Sequence, residues 1–352
     1  MTTYNYNRNR INGLDLFRFI AALFVILFHY TYRGSQSDHF ISISFPEIDF
    51  ITKYGYLGVQ FFFMISGFVI MMSSHHGSYK KFLISRISRL YPTFWLCCTL
   101  TYIITLLLND NIALSANLKQ YFVNLTMLAG FFKVPSIDGA YWSLYVEIYF
   151  YVLIFTLLIF KKINKLETYL GYWLAITILA DIFNISAISK LFMTNYSIYF
   201  IAGGLFYYIW IDKINIHRLI LITICIIYSI TVSVEQANYL SERYNDYYSN
   251  VTISIILFAF YLSMGYIVVF KNSIINKINW IKLGALTYPL YLLHQNIGYI
   301  LINQLSNLNI MNKYTIILFI IFLMIIISYI IGNIIEPKQI KNTKKLLMKI
   351  IK

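Results

Sequence analysis

The sequence is poor in charged residues, and acidic residues are the scarcest of them. Charged residues make up 12% of the 352-residue chain, whereas soluble domains carry about 25%. Hydrophobic residues make up 59% of it. One soluble core could not bury so much apolar side chain, so the composition excludes an ordinary soluble domain and predicts an all-α integral membrane protein.

Cysteine is nearly absent, which excludes two further classes. Cys97, Cys98 and Cys225 all lie inside apolar runs, and no spacing typical of metal ligands is present. We therefore predict neither a disulfide framework nor a metal site. The net charge of +14 could suggest a nucleic-acid partner. However, the basic residues form short clusters between apolar runs, which is typical of membrane topology, so we expect no nucleic acid to bind.

About ten apolar runs are long enough to predict transmembrane helices. A shorter apolar segment, Gln120–Phe132, predicts a re-entrant or interfacial helix. No small-residue cleavage site follows the first run, which we therefore interpret as a spanning helix and not a signal peptide. The predicted spans are Leu14–Tyr32, Gly55–Ser73, Leu90–Leu108, Trp142–Phe160, Thr168–Ile185, Asn195–Ile211, Leu219–Val234, Val251–Phe270, Gly284–Leu305 and Tyr314–Ile335.

The loops between these runs carry an uneven distribution of charge. With the N-terminus in the cytoplasm, 20 of the 28 Lys and Arg residues fall in inner segments and seven in outer ones. Cytoplasmic loops hold the excess of basic residues, so both termini are predicted to be cytoplasmic. We predict a transmembrane domain over residues 1–340. A short basic tail, residues 341–352, is expected to anchor the topology near anionic lipid.

Few ionisable residues lie within the predicted spans, and each is costly there. Arg18 and His29 are eleven residues apart, about three helical turns, and so share one face of the first span. Glu147, in the fourth span, is expected at the depth of His29, which makes the histidine its expected partner. The alternatives are an Arg18 that snorkels, a His29 that caps a contact in the bundle, and a structural Glu147 hydrogen-bonded to Ser143 or to the tyrosines around it.

Two arginines precede the third span. Arg86 and Arg89 are spaced i, i+3 and would share a helix face under the inner surface, where two guanidiniums suit phosphate oxygens. The alternative is ordinary positive-inside charge.

In the ninth span, Pro289 predicts a kink, and we favour a structural or cavity-lining role for His294.

Five strings, in order, resemble the acyltransferase-3 family of membrane acyltransferases, which includes O-acetyltransferases of envelope glycans. Each string alone is weak, but five in order along nearly the whole chain are specific. Gln60 departs from the pattern, because the family often has an acidic residue there. The strings are Gly13 to Arg18 with His29, Gly58 to Phe68, Arg86 and Arg89 followed by Tyr91-Pro92, Trp142-Ser143-Leu144 with Glu147, and Tyr291 to His294.

The resemblance implies a multi-pass enzyme of the bacterial inner membrane, with acyl-CoA, usually acetyl-CoA, as co-substrate and no permanently bound cofactor. The acceptor would be a hydroxyl of an envelope saccharide such as O-antigen, capsule or exopolysaccharide. We expect His29 to act as general base and Glu147 to orient it. An acylated His29 is the second-ranked mechanism. Arg18, Arg86 and Arg89 are expected to bind acyl-CoA, and Trp142, Ser143, Tyr291 and His294 to support the site.

A transporter or flippase for an envelope lipid or sugar is the main alternative function. Transporters often show two related halves and paired broken helices. The sequence shows no internal repeat, and Pro289 is a single candidate break. A third interpretation, a non-catalytic membrane scaffold, leaves Arg18, His29 and Glu147 unexplained.

Overall fold

The computed structural model describes residues 11–75, 77–109, 114–162 and 165–351, and every regular element in these ranges is helical. The predicted all-α class is confirmed. Residues 1–10, with Arg8 and Arg10 of the charge count, lie outside the described residues. The main helices are α1 (Asn12–Phe28), α2 (Gly58–Ser74), α3 (Tyr79–Leu108), α4 (Trp142–Ile159), α5 (Leu166–Ile182), α6 (Thr194–Ile211), α7 (Ile216–Tyr244), α8 (Asn250–Val269), α9 (Ile281–Asn307), α10 (Lys313–Ile330) and α11 (Glu336–Ile350).

Seven helical stretches in this part of the chain are long and apolar enough to cross a membrane. Together they make the chain a multi-pass membrane protein. Helices α5, α6 and α9 occupy the other three predicted spans, and the total of ten, like the side on which each terminus lies, stays a prediction. The seven stretches are Asn12–Gln36, Asp49–Ser74, Tyr79–Leu108, Gly139–Ile159, Ile216–Tyr244, Asn250–Val269 and Lys313–Ile350.

Helices α2 and α6 cross with their main chains in direct contact. A Cβ atom added at Gly67 would lie 2.2 Å from the carbonyl oxygen of Phe200, and one added at Gly203 would lie 1.9 Å from that of Met64. Only glycine permits such an approach, and small residues are the usual solution at helix crossings in membranes. Because Ser66 directly precedes Gly67, the crossing also fixes the position of Ser66 on α2.

Helix α1 packs against α2 and α9. At His29 it changes into a π-helical turn, His29–Arg33, where the first predicted span assumed a regular α-helix. Such wide turns are frequent at functional sites because they redirect side chains. The Tyr30 hydroxyl donates to the carbonyl oxygen of His294 at 2.7 Å and so joins this turn to α9.

Helix α3 begins well before the predicted span Leu90–Leu108, so Arg86 and Arg89 lie on the same continuous helix as the span. Its N-terminus is capped by Ser78, whose side chain accepts from the Lys81 amide at 3.3 Å. Helix α11 packs along α3, where Thr93 donates to Glu336 at 3.2 Å. Helix α11 also contains most of the predicted basic tail, which is helical as far as Ile350.

Candidate active site

A cavity of about 90 Å³ lies between α1, α2, α3, α4 and α9. The charged side chains that line it are those of Arg18, Arg86, Arg89 and Glu147. Three guanidiniums therefore face one carboxylate within a protein interior. The sequence-predicted donor site and the predicted catalytic carboxylate meet in this single space.

Glu147 is held on the cavity wall by two hydroxyl groups. Its Oε1 atom accepts from Ser66 of α2 at 2.8 Å and from Tyr151, one turn along α4, at 2.5 Å. Positions i and i+4 of a helix face the same side, which brings Tyr151 to Glu147. These two bonds orient the carboxylate across the contact between α2 and α4.

The arginines of the cavity keep donors to spare. The Arg86 guanidinium lies 5.8 Å from the ring centres of both Phe82 and Tyr151. Its buried Nε atom has no hydrogen-bond partner, which is a costly state for a charged donor. Within the described ranges, no carboxylate comes within 4.0 Å of Arg86 or Arg89, whereas Arg18 lies 4.0 Å from Asp15. Such a group of donors suits an anion that carries several oxygens.

His29 pairs with another histidine. Its Nδ1 atom lies 2.8 Å from the carbonyl oxygen of Val25 and 3.2 Å from Nε2 of His294. Both rings are buried, and neither lines the arginine cavity. The expected hydrogen bond between His29 and Glu147 is not formed, because each has other partners. The structure thus separates the two residues that we expected to act together.

Tyr291 lies at the border between the cavity and the histidine pair. Its hydroxyl is 2.7 Å from that of Ser143 and donates to the carbonyl oxygen of Ala140 at 3.1 Å. Tyr291 and Ser143 both line the cavity. On the other side, the Tyr291 ring centre is 5.6 Å from that of His294. Cavity and histidine pair are therefore neighbours with one tyrosine between them.

A family model described as an acyltransferase domain matches residues 11–333, which is most of the chain. The chain belongs to the acyltransferase-3 family. Searches of curated proteins and of solved structures find no match. The recognition made from five strings is confirmed, and the protein is a membrane acyltransferase.

Trp142 of this acyltransferase lies outside the arginine cavity. It is 38% exposed and lines a second cavity, of about 170 Å³, together with Tyr141 and Tyr145. Leu144 lines both cavities. Three consecutive residues of one helix point in different directions, so Trp142 and Ser143 of one sequence string serve two separate spaces.

Three polar groups of the acyltransferase were not predicted from the sequence. Ser66 was inside the quoted second-helix string, and Tyr151 could have been found from its i+4 spacing to Glu147. Asp138, which lies just before the span that contains α4, gave no sequence signal. It is fully buried and accepts from the amides of Ala140 at 2.8 Å and Asn296 at 2.9 Å. Burial raises the pKa of Asp138 to about 7.

Proposed function

We propose that this acyltransferase takes an acetyl group from cytoplasmic acetyl-CoA and transfers it to a hydroxyl of an envelope saccharide in the bacterial inner membrane. The observation that carries the proposal is the arginine cavity, where three guanidiniums face one carboxylate and Arg86 keeps an unpaired buried donor. The phosphates of coenzyme A supply the oxygens that such donors bind.

The donor would lie along the cavity from α3 toward α4 and α9. Arg86 and Arg89 hold the phosphates, because they belong to the first turns of α3, on the predicted cytoplasmic side. Arg18 binds the donor from α1. The thioester then reaches the border formed by Ser143 and Tyr291, next to the histidine pair.

The chemistry is direct acyl transfer. His29 accepts the proton of the acceptor hydroxyl, whose oxygen attacks the thioester carbonyl carbon. The carbon–sulfur bond breaks, and the proton passes from His29 to the departing thiolate. Glu147 offsets part of the guanidinium charge and holds α2 to α4 through Ser66. Transfer through an acylated His29 remains the second-ranked order of steps.

Inside-out membrane vesicles test the proposal. Acetyl-CoA labelled in its acetyl group should label a membrane saccharide in wild-type vesicles, and Arg18→Leu should lose most of this labelling. Lys162→Ala is the matched control, because Lys162 is exposed in the loop after α4, and it should label normally. Movement of a lipid-linked sugar across the bilayer without any labelling would replace the proposal with the flippase alternative.

A further inference from the structure

The hydrogen-bond partners of the His29–His294 pair define which of its ring nitrogens carry a proton. Nδ1 of His294 lies 2.8 Å from the carbonyl oxygen of Tyr291. A carbonyl oxygen can only accept, so this nitrogen carries a proton. A neutral imidazole has one donor and one acceptor. Nε2 of His294 is therefore an acceptor, and it faces Nδ1 of His29 at 3.2 Å.

The same reasoning applies to His29. Its Nδ1 atom meets two acceptors, the carbonyl oxygen of Val25 at 2.8 Å and Nε2 of His294. Nδ1 must then be protonated, and the proton lies between these two acceptors. In neutral His29 the remaining nitrogen, Nε2, holds the free lone pair. This is the form that a general base needs.

We propose that His294 is a positioning residue for His29: it accepts the Nδ1 proton of His29 in a hydrogen bond and so keeps Nε2 of His29 free to accept a proton. The inference rests on the proposed function, in which His29 is the base. His294 thus performs the orienting role that we expected of Glu147. It holds its own proton on Nδ1 throughout the reaction.

A neutral partner suits this location. When His29 takes the proton of the acceptor hydroxyl, its bond to His294 becomes charge-assisted and therefore stronger. The proton then leaves Nε2 of His29 for the thiolate sulfur of coenzyme A, and the original pair is restored. A carboxylate in place of His294 would have to be buried with its charge whenever His29 is neutral.

The surroundings of His294 explain why its ring is well placed. The bond from His29 to Val25 is local, since a helical histidine finds such a carbonyl one turn away. The second acceptor comes from α9, 265 residues further along the chain. Helix α9 is held there by Tyr30, which donates to the His294 carbonyl oxygen, and by Asp138, which accepts from the Asn296 amide.

Nitrogen spectra of the histidine rings test the inference directly. The full chain, with ring-¹⁵N histidine, would be placed in lipid nanodiscs, and its six histidines assigned with His29→Gln and His294→Gln. We expect both rings of the pair to be protonated at Nδ1, with a scalar coupling between Nδ1 of His29 and Nε2 of His294. A His29 protonated at Nε2, or absence of the coupling, would overturn the inference.

Turnover provides the second readout. His294→Leu should lower turnover roughly 10- to 100-fold, less than loss of the base itself, with the KM for acetyl-CoA unchanged. His294→Gln should restore part of the rate, because its amide oxygen can accept the same bond. His217→Leu, at an exposed histidine of α7, is the matched control. Wild-type turnover in His294→Leu would refute the positioning role.

The two readouts separate failure of this inference from failure of the proposed function. The spectrum requires no substrate. A coupled pair in a protein that transfers no acyl group would remove the proposed function, and with it the catalytic purpose of His294. Acyl transfer by a protein whose His29 is protonated at Nε2 would overturn the positioning role alone.

Discussion

The arginine cavity and the histidine pair are neighbours, but they are built on opposite principles. The cavity has an excess of charged donors, one of which is buried without a partner. In the pair, by contrast, Nδ1 of each ring has a carbonyl acceptor within 2.8 Å. An imidazolium inside the cavity would face three like charges at close range. In the proposed function, anion binding and proton transfer therefore take place in adjacent but separate parts of the site.

Replacing His29 should produce the largest effect and affect one region only. We expect His29→Ala to lower turnover about 10²- to 10⁴-fold, the usual contribution of a general base. The dissociation constant of acetyl-CoA from this variant should equal that of the wild type, because His29 does not line the arginine cavity. Vesicle labelling gives the rate, and calorimetric titration in nanodiscs gives the affinity. A large loss of donor affinity would mean that the two regions form one site.

Replacing the two arginines of α3 should give the reverse pattern. Charge-assisted hydrogen bonds contribute about 1.5–3 kcal/mol each, so Arg86→Ala with Arg89→Ala should weaken acetyl-CoA binding at least about 100-fold. Turnover at saturating donor should change little. The same titration measures the effect, with Lys162→Ala as control. Unaltered affinity would return both residues to the role of topology charges.

Removing one hydroxyl at the border should affect the rate moderately. Tyr291→Phe loses the bonds to Ser143 and to the Ala140 carbonyl oxygen but keeps the ring, whose centre is 5.7 Å from that of Phe62. A typical hydrogen bond contributes about 1 kcal/mol, so we expect a roughly fivefold lower turnover and an unchanged donor affinity. Steady-state kinetics measure both, and full activity would show that the two regions work without this link.

The smallest effect should come from an ion pair outside both regions. Lys313 lies 2.9 Å from Glu47, and this hydrogen-bonded lysine lowers the pKa of Glu47. The ionised pair therefore stabilises the folded chain at neutral pH, and this contribution is lost as the pH falls through the lowered pKa. Glu47→Gln should lower Tm by no more than about 2 °C at neutral pH and by nothing in acid. A changed rate of acyl transfer would show that the Lys313–Glu47 ion pair is coupled to the candidate active site.

The sequence was sufficient for the approximate positions of the long helices and for the four charged residues of the arginine cavity. Apolar run length marks where α2, α4 and α8 lie, and spacing along α3 brings Arg86 and Arg89 to one side. The partner of His29 could not be read in this way. It is decided by how α1 and α9 rotate against each other, and a π-helical turn at His29 shifts that rotation away from a regular helix.

Depth along the membrane normal was likewise no guide to proximity. Glu147 and His29 were expected at the same depth in the membrane. Side chains at one depth can nevertheless face different neighbouring helices. Glu147 points to α2 and finds Ser66. Trp142 and Ser143 differ by one position on α4, which is a rotation of about 100°, and so they line different cavities.

The glycine crossing of α2 and α6 has a mechanical consequence for the arginine cavity. A contact between two main chains has no side-chain rotamers through which it can yield, so α2 cannot slide or tilt against α6 by small adjustments. Ser66 is the residue before Gly67, and it donates to the Glu147 carboxylate. The carboxylate is therefore bound to a part of α2 that cannot easily move. If the proposed acyl-CoA is the donor, we expect its entry to move the opposite wall, where the long side chains of the arginines can change rotamer, while the Glu147 side stays in place.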